Sequence, residues 1–163
     1  MNIYLIGMPG SGKTTIGKKL AQNINKKFID LDNYIEEKHM IFIDEIFSFY
    51  GENKFRELES EALIDLINED AVISTGGGIV MNKLNKKLMN GLIIYIDTPL
   101  ETIEKRLKNS HSRPLLKEKT LEELYEIRFL KYQGFAQKIV SNNDSISKTV
   151  DDIINIIEES VKL

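Results

Sequence analysis

Five short apolar runs, rich in β-branched residues, recur along the chain. Polar residues do not alternate with apolar ones inside these runs, which is typical of strands buried on both faces of a parallel sheet. The predicted strands are Ile3–Ile6, Lys27–Asp30, Ala71–Ser74, Leu92–Asp97 and Lys138–Val140.

Between the strands, apolar residues recur at intervals of three or four, which indicates amphipathic helices. This spacing occurs in residues 14–25, in residues 55–68 and in residues 150–157. Thr98-Pro99 predicts a further helix start, because proline is favoured in the first helical turn. Alternating strands and helices predict a three-layer α/β/α fold around a five-stranded parallel sheet.

Two segments do not fit this alternation. Residues 33–60 form a polar and aromatic insertion after the second strand, and residues 109–120 (NSHSRPLLKEKT) form a loop rich in proline, serine and charge. Long excursions from a compact domain are often functional. We therefore expect each segment to be either a lid or a binding loop, and residues 109–120 are the suspected lid.

Composition limits the classes of partner. The 163 residues suit a single domain spanning residues 1–163, and the net charge of −3 offers no basic surface for nucleic acid. The chain has no cysteine, which excludes disulfides and thiolate metal sites. The first residues, MNIYLIGM, lack the features of a signal peptide, and no apolar run is long enough for a membrane span. We expect a cytoplasmic protein without a membrane partner.

The most specific motif is GMPGSGKT, residues 7–14. It follows a predicted strand and precedes a predicted helix, as the phosphate-binding P-loop pattern requires. Its glycines let backbone N–H groups turn toward a phosphate at a helix N-terminus. Lys13 would add a positive charge near the β- and γ-phosphates, and the Thr14 hydroxyl would ligate Mg²⁺.

Arginine is rare enough here to be informative, since only four of the 22 basic residues are arginines. Its planar fork binds carboxylates and phosphates bidentately, which lysine does not. Glu59, three residues after Arg56, could brace that guanidinium. Arg113 lies in the expected lid, from where it could neutralise a transferring phosphoryl group. Arg128 follows the lid, and Arg106 could pack on a nucleotide base or complement a helix C-terminus.

Polar residues also follow the second and third predicted strands, at the edge where open α/β sheets bind ligands. Asp30 and Asp32 would point the same way in an extended chain, one holding Mg²⁺ through water and the other accepting a bond from a substrate hydroxyl. Gly76, Gly77 and Gly78 would let a small ligand approach the main chain. With Arg56 and Arg128, these groups predict a pocket for a hydroxylated carboxylic acid.

The motifs GxxGSGKT, D-x-D, FR-x-x-E, GGG, RPLL and R-x-x-x-Y occur in this order between Met1 and about Ile157. This combination resembles the shikimate kinase family, small P-loop kinases similar to the nucleoside monophosphate kinases. The resemblance implies transfer of the γ-phosphate of ATP to the 3-hydroxyl of shikimate, in the pathway to chorismate and the aromatic amino acids. It also implies a shikimate-binding region at residues 32–61 and a lid at residues 109–120.

The resemblance assigns the nucleotide side of the site to residues of the P-loop and of the lid. Thr14 would ligate one Mg²⁺ ion and Asp30 would position it through water. Arg113 and Lys13 would stabilise the transferring phosphoryl group, and Arg106 would pack near adenine. The residues that would bind ATP are Gly10, Ser11, Gly12, Lys13, Thr14, Thr15, Arg106 and Arg113.

The resemblance likewise assigns the acceptor side. Asp32 would contact the shikimate hydroxyls, including the one that attacks, and would either take its proton or only orient it. Arg56 and Arg128 would clamp the carboxylate, and Gly76 to Gly78 would line the pocket. We expect a monomer whose partners are the small molecules ATP and shikimate.

One stretch departs from the family pattern, and rival functions remain open. SNNDSISK, residues 141–148, lacks the basic residue and the proline that often lie near adenine. A gluconate-type sugar-acid kinase would need a similar P-loop and anion pocket. A nucleoside monophosphate kinase would need a larger acceptor pocket. A module that binds ATP without catalysis would not need Lys13, Thr14, Asp32 and Arg113 together.

Overall fold

A five-stranded parallel sheet forms the centre of the fold in the computed structural model of the chain, which describes residues 1–108 and 119–161. The strands are β1 (Asn2–Ile6), β2 (Lys27–Asp30), β3 (Ala71–Ser74), β4 (Gly91–Asp97) and β5 (Lys138–Ser141). Their order across the sheet is β2-β3-β1-β4-β5, and all neighbouring pairs are parallel. The five predicted strands are confirmed to within one residue at each end.

Helices connect these strands and cover both faces of the sheet. They are α1 (Lys13–Asn23), α2 (Leu31–His39), α3 (Ile43–Tyr50), α4 (Glu52–Asp65), α5 (Asn85–Leu88), α6 (Leu100–Leu107), α7 (Leu121–Phe135) and α8 (Ile146–Val161). A 3₁₀ turn spans Ile79–Met81. Within the two described ranges, none of the helices combines the length and the apolar character needed to cross a bilayer.

The two faces of the sheet carry separate apolar cores. Along β1, Ile3 and Leu5 belong to the core that includes residues of α1 and α8. Tyr4 and Ile6 point to the opposite face, into the core with α2, α3, α4 and α7. Successive side chains of a strand alternate between faces, so each strand supplies both cores. The predicted three-layer α/β/α arrangement is confirmed.

The insertion after β2 folds into the three helices α2, α3 and α4. The helix predicted at residues 55–68 begins earlier, at Glu52, and ends at Asp65. Gly51 sets this boundary: its φ of 84° lies in the left-handed region, where glycine ends α3 and redirects the chain into α4.

The prediction that Asp30 and Asp32 share an extended segment is wrong. The strand ends at Asp30, whose carboxylate accepts a hydrogen bond of 3.1 Å from the backbone N–H of Asn33. Asp30 is therefore the N-cap of α2, and Asp32 lies in the first turn of that helix. The two carboxylates still stand at the same edge of the sheet, because α2 starts directly where β2 stops.

Candidate active site

A cavity of about 780 Å³ opens along the carboxyl ends of the strands. Its walls come from the P-loop, from the starts of α1 and α2, from α3, α4, α6 and α7, and from the segment after β3. Every predicted site residue within the described ranges lines this cavity. Arg113 and most of the predicted lid lie outside the described residues. One side of the cavity carries the P-loop, and the other carries the predicted acceptor groups.

The P-loop takes the conformation that its glycines allow. Gly10 and Gly12 have φ values of 78° and 99°, and Gly12 is the N-cap of α1. The Lys13 ammonium is buried and donates to the carbonyls of Gly7 at 2.8 Å and Met8 at 2.9 Å. A lysine charge therefore lies over a loop whose helix N-terminus favours anions.

The residues predicted to hold Mg²⁺ lie next to each other. The Thr14 hydroxyl donates to Oδ2 of Asp30 at 3.2 Å, while Oδ1 of Asp30 caps α2. Mg²⁺ prefers hard oxygen ligands, keeps several waters and takes one or two protein ligands. In the described part of the chain no cluster of three or more metal-binding side chains exists. A hydroxyl beside one carboxylate oxygen fits an ion that also binds substrate phosphates.

Asp32 and Glu59 each have a carboxylate oxygen in the cavity without a hydrogen-bond partner among the described residues. In Asp32 this atom is the buried Oδ1. Burial, followed by the negative charges of Glu59 and Asp30, raises the pKa of Asp32 to about 7, and Lys13 opposes this shift. Oδ1 of Asp32 can therefore accept a hydrogen bond from a hydroxyl group of a bound ligand.

Arg56 is held by two glutamates of its own helix. Its Nη1 donates to Glu59 at 2.7 Å, and its Nη2 donates to Glu52 at 3.1 Å. The contact with Glu59 expected from the sequence is therefore present. Burial raises the pKa of Glu59, and the charges of Arg56 and then Arg128 oppose that effect. The fully buried carboxylate of Glu59 thus interacts electrostatically with the guanidinium groups of both Arg56 and Arg128.

The segment Gly76–Gly78 brings these charged groups together. A Cβ atom on Gly76 would lie 3.0 Å from Oδ1 of Asp32, one on Gly77 3.0 Å from Nη1 of Arg128, and one on Gly78 2.6 Å from Cζ of Arg56. Each glycine therefore leaves room for a different polar side chain. The sequence predicted close approach of a ligand at this position; here, side chains of the site itself approach the backbone.

The two remaining arginines in the described ranges differ in setting. Arg128, on α7, is 3% exposed, and its Nε atom lacks a hydrogen-bond partner among the described residues. Arg106 is exposed near the end of α6, and its Nη1 donates to the Gly10 carbonyl at 3.0 Å. Arg128 therefore belongs to the acceptor side of the cavity, and Arg106 to the P-loop side.

Comparison with known proteins identifies the family of this chain. The family model described as "Shikimate kinase" matches residues 9–158. The chain belongs to the shikimate kinase family. Its members are ATP-dependent phosphotransferases that act on a hydroxyl of shikimate.

Relatives of this family match the chain over nearly its full length. A shikimate kinase of Sulfurihydrogenibium sp. is 41% identical over 162 residues, covering 96% of this chain and 98% of the relative. One from Clostridium botulinum is 43% identical over 160 residues, covering 95% and 96%.

Solved shikimate kinases share the fold. The enzyme from Acinetobacter baumannii, in complex with shikimate, superposes with a TM-score of 0.92 at 34% identity, covering 98% of this chain and 93% of that one. The enzyme from Aquifex aeolicus gives 0.86 at 36% identity, covering 99% and 98%. The sequence-based assignment to the family and to its fold is confirmed.

Several cavity residues were not predicted from the sequence of this shikimate kinase family member. Phe47 and Phe55 contact each other with ring centroids 5.1 Å apart, and with Ile43 and Leu124 they form an apolar wall. Phe55 directly precedes Arg56, and the aromatic content of the insertion was a usable signal. The wall offers apolar contact to the carbon skeleton of an acceptor.

Asn142 was also missed as a partner of the P-loop. It is buried, donates to the Ser11 carbonyl at 2.9 Å and to Thr98 at 3.1 Å, and accepts a bond from Thr149 at 2.8 Å. Thr98 donates to the same Ser11 carbonyl at 2.7 Å. In sequence this asparagine lies in the segment that departs from the family pattern, and no local periodicity marks it.

Proposed function

We propose how this chain performs the reaction of its family, transfer of the γ-phosphoryl group of ATP to the 3-hydroxyl of shikimate. The observation that carries the proposal is the arrangement of Arg56, Arg128 and Asp32 in one cavity with the P-loop. Two guanidinium groups in one cavity favour an anionic ligand, and a buried carboxylate oxygen without a donor favours a ligand hydroxyl. Shikimate carries both on one small ring.

The acceptor side of the site binds by charge and shape. Arg56 and Arg128 clamp the shikimate carboxylate, and Glu59 keeps the Arg56 fork in place. Gly76 to Gly78 line the pocket and leave room for these side chains. The apolar wall of Phe47 and Phe55 packs against the ring carbons. Binding energy is thereby used to orient the attacking hydroxyl.

Asp32 holds that hydroxyl. Because its pKa lies near 7, it can accept the hydroxyl proton as the phosphoryl group arrives, or hold the hydroxyl in line without taking the proton. Phosphoryl transfer passes through a loose transition state, so orientation and charge neutralisation matter more than a strong base. Asp32 orients the attacking hydroxyl whether or not it also takes the proton.

The P-loop side holds the nucleotide. Backbone N–H groups of residues 10–15 cradle the phosphates at the start of α1, and Lys13 turns from its carbonyl partners toward the β- and γ-phosphates. Thr14 directly, and Asp30 through water, would hold Mg²⁺, which would supply positive charge for the phosphate oxygens. Arg106, which donates a hydrogen bond to the Gly10 carbonyl, would pack near adenine.

We further propose that residues 109–120 form the lid. Arg113 in this lid would neutralise charge on the transferring phosphoryl group, and closure would exclude water and suppress ATP hydrolysis. Residues 32–61 would then be the shikimate-binding region, since α2, α3 and α4 supply Asp32, Phe47 and Arg56.

Residues 1–163 would act as one cytoplasmic, monomeric domain, with ATP and shikimate as partners and neither nucleic acid nor membrane. The net charge of −3 supports the expectation that the domain does not bind nucleic acid. Light scattering after size-exclusion chromatography measures the oligomeric state.

An ADP-release assay with Mg-ATP tests the function. Shikimate, gluconate and nucleoside monophosphates are offered separately, and we expect strong turnover with shikimate alone. The apolar wall of Phe47 and Phe55 suits a carbon ring better than the hydroxyl-bearing chain of gluconate. Turnover with gluconate instead would refute the acceptor, and ATP binding without any turnover would favour a non-catalytic module.

A further inference from the structure

Tyr132 connects the acceptor arginine of α7 to the segment Gly76–Gly78. Its hydroxyl donates a hydrogen bond of 2.5 Å to the carbonyl of Gly77, 55 residues earlier in the chain. Its side chain is completely buried and stacks on Tyr95, with ring centroids 5.0 Å apart and an interplanar angle of 22°. Burial and the stacked ring therefore restrict where the hydroxyl can lie.

Tyr132 also lies one helical turn after Arg128. Residues four apart share a face of a helix, so the tyrosine and the arginine approach the glycine segment together. A Cβ on Gly77 would lie 3.0 Å from Nη1 of Arg128, and Gly78 lies against the guanidinium of Arg56. One short segment thus separates the two guanidinium groups, and Tyr132 fixes where that segment lies.

We propose that Tyr132 is a positioning residue that sets the spacing of Arg56 and Arg128 through the Gly77 carbonyl. The inference rests on the proposed function, because the spacing matters only if both arginines bind one anionic acceptor. Tyr132 itself is not among the residues that line the cavity. Burial raises the pKa of Tyr132 to about 12, against the opposing charge of Arg128, so the hydroxyl remains a donor at neutral pH.

The test compares Tyr132→Phe with Tyr95→Phe. Both variants keep the stacked ring pair, but only the first removes the donor to Gly77, together with the hydrogen bond that the Tyr132 hydroxyl accepts from Arg128. The Tyr95 hydroxyl faces Asp97 at 3.5 Å, and Tyr95 does not line the cavity. Tyr132→Phe should raise the KM for shikimate about fivefold or more, with the KM for ATP and kcat within twofold of the parent. Tyr95→Phe should leave all three within twofold.

A second readout needs no substrate. The amide of Ile79 donates to the Gly76 carbonyl at 3.2 Å and so reports on the order of the segment. Its hydrogen exchange, measured by NMR relative to amides of β3, should be at least fivefold faster in Tyr132→Phe and unchanged in Tyr95→Phe. Faster exchange together with a raised shikimate KM supports the proposal.

Three results overturn the proposal. They are an unchanged Ile79 exchange rate, an unchanged shikimate KM, and a rise of both substrate KM values by the same factor, which would mean general loosening. Failure of the proposed function appears separately, as absence of turnover with shikimate in the parent. In that case the hydrogen-exchange rate of the Ile79 amide alone tests whether Tyr132 holds the segment Gly76–Gly78 in place. An unchanged rate in Tyr132→Phe rejects that role.

Discussion

Nη1 of Arg56 donates a hydrogen bond of 2.7 Å to Oε1 of Glu59, a side chain with no exposed surface. The charge of Arg128 also acts on this carboxylate. Two guanidinium groups in one cavity repel each other, and the buried negative charge of Glu59, which attracts both, offsets that repulsion. Glu59 is thus an electrostatic support for the acceptor clamp as well as a brace for one arginine.

Replacing Glu59 by glutamine should destabilise the protein strongly. The variant removes the anion that attracts the buried Arg128 and leaves the partly buried Arg56 only its contact with Glu52; breaking a buried pair in this way costs about 3 kcal/mol. Glu52→Gln is the matched control, because Glu52 also binds Arg56 but is 46% exposed and should contribute less than about 1 kcal/mol. Urea unfolding measures both changes, and equal losses would contradict the assignment.

Gly78→Ala should disturb the acceptor clamp without straining the backbone. Gly78 has φ −96° and ψ 11°, which alanine accepts, so the effect comes from a methyl group placed against Arg56. We expect the KM for shikimate to rise about tenfold or more, with little change in the KM for ATP.

Gly134→Ala is the control for Gly78→Ala. A Cβ at Gly134, within α7, meets no atom within 4 Å, so this variant should be neutral or stabilising by roughly 0.5 kcal/mol. Steady-state kinetics and thermal unfolding are measured on both. A Gly78→Ala enzyme with parental shikimate KM would show that Arg56 can move without loss of binding.

The stability of the metal-free and nucleotide-free protein should fall as pH rises from about 4 to 7. The pKa of Asp32 is raised from 3.8 to about 7, so in this window the folded protein keeps a proton that the unfolded chain releases. The folded state then loses a few kcal/mol relative to the unfolded state.

Asp32→Asn removes this titration. The variant should show a flatter pH dependence and be more stable than the parent at pH 8, while losing most activity with shikimate. Asp151→Asn, at an exposed position of α8 outside the cavity, should keep the parental pH dependence. Denaturant unfolding at several pH values in EDTA measures this, and a less stable Asp32→Asn at pH 8 would contradict the electrostatic account.

Asn142→Ala should act on the nucleotide side alone. It removes one of two side-chain donors to the Ser11 carbonyl and should raise the KM for ATP about fivefold, equivalent to roughly 1 kcal/mol, with the shikimate KM unchanged. Asn143→Ala, at the exposed neighbouring position, should have no effect. If Asn142→Ala raised only the KM for shikimate, the assignment of Asn142 to the nucleotide side of the site would be wrong.

The sequence predicts those features that local chemistry determines. The P-loop spacing, the apolar runs of the strands and the i, i+3 pair of Arg56 and Glu59 each depend on neighbours in the chain. The error at Asp32 arose locally as well: Asp30 followed by the apolar Leu31 and Ile35 is a helix N-cap signal, so the chain after Asp30 is helical and not extended as assumed.

The contacts that complete the site depend on tertiary packing. Asn142 reaches Ser11 across 131 residues, and Tyr132 reaches Gly77 across 55 residues. These pairs form because β1 lies beside both β3 and β4, and strand order is not encoded in the periodicity of any one segment. The apolar wall likewise combines residues of α3, α4 and α7, whose relative placement local patterns do not give.

The most direct test of the account compares shikimate with an analogue that carries a carboxamide in place of the carboxylate. Both are assayed by ADP release on the parent, on Arg56→Ala and on Arg128→Ala. The parent should prefer shikimate by about 100-fold in kcat/KM, equivalent to about 2.7 kcal/mol, and each variant should lose most of that preference. If the variants discriminate against the carboxamide as strongly as the parent does, Arg56 and Arg128 do not bind the acceptor carboxylate.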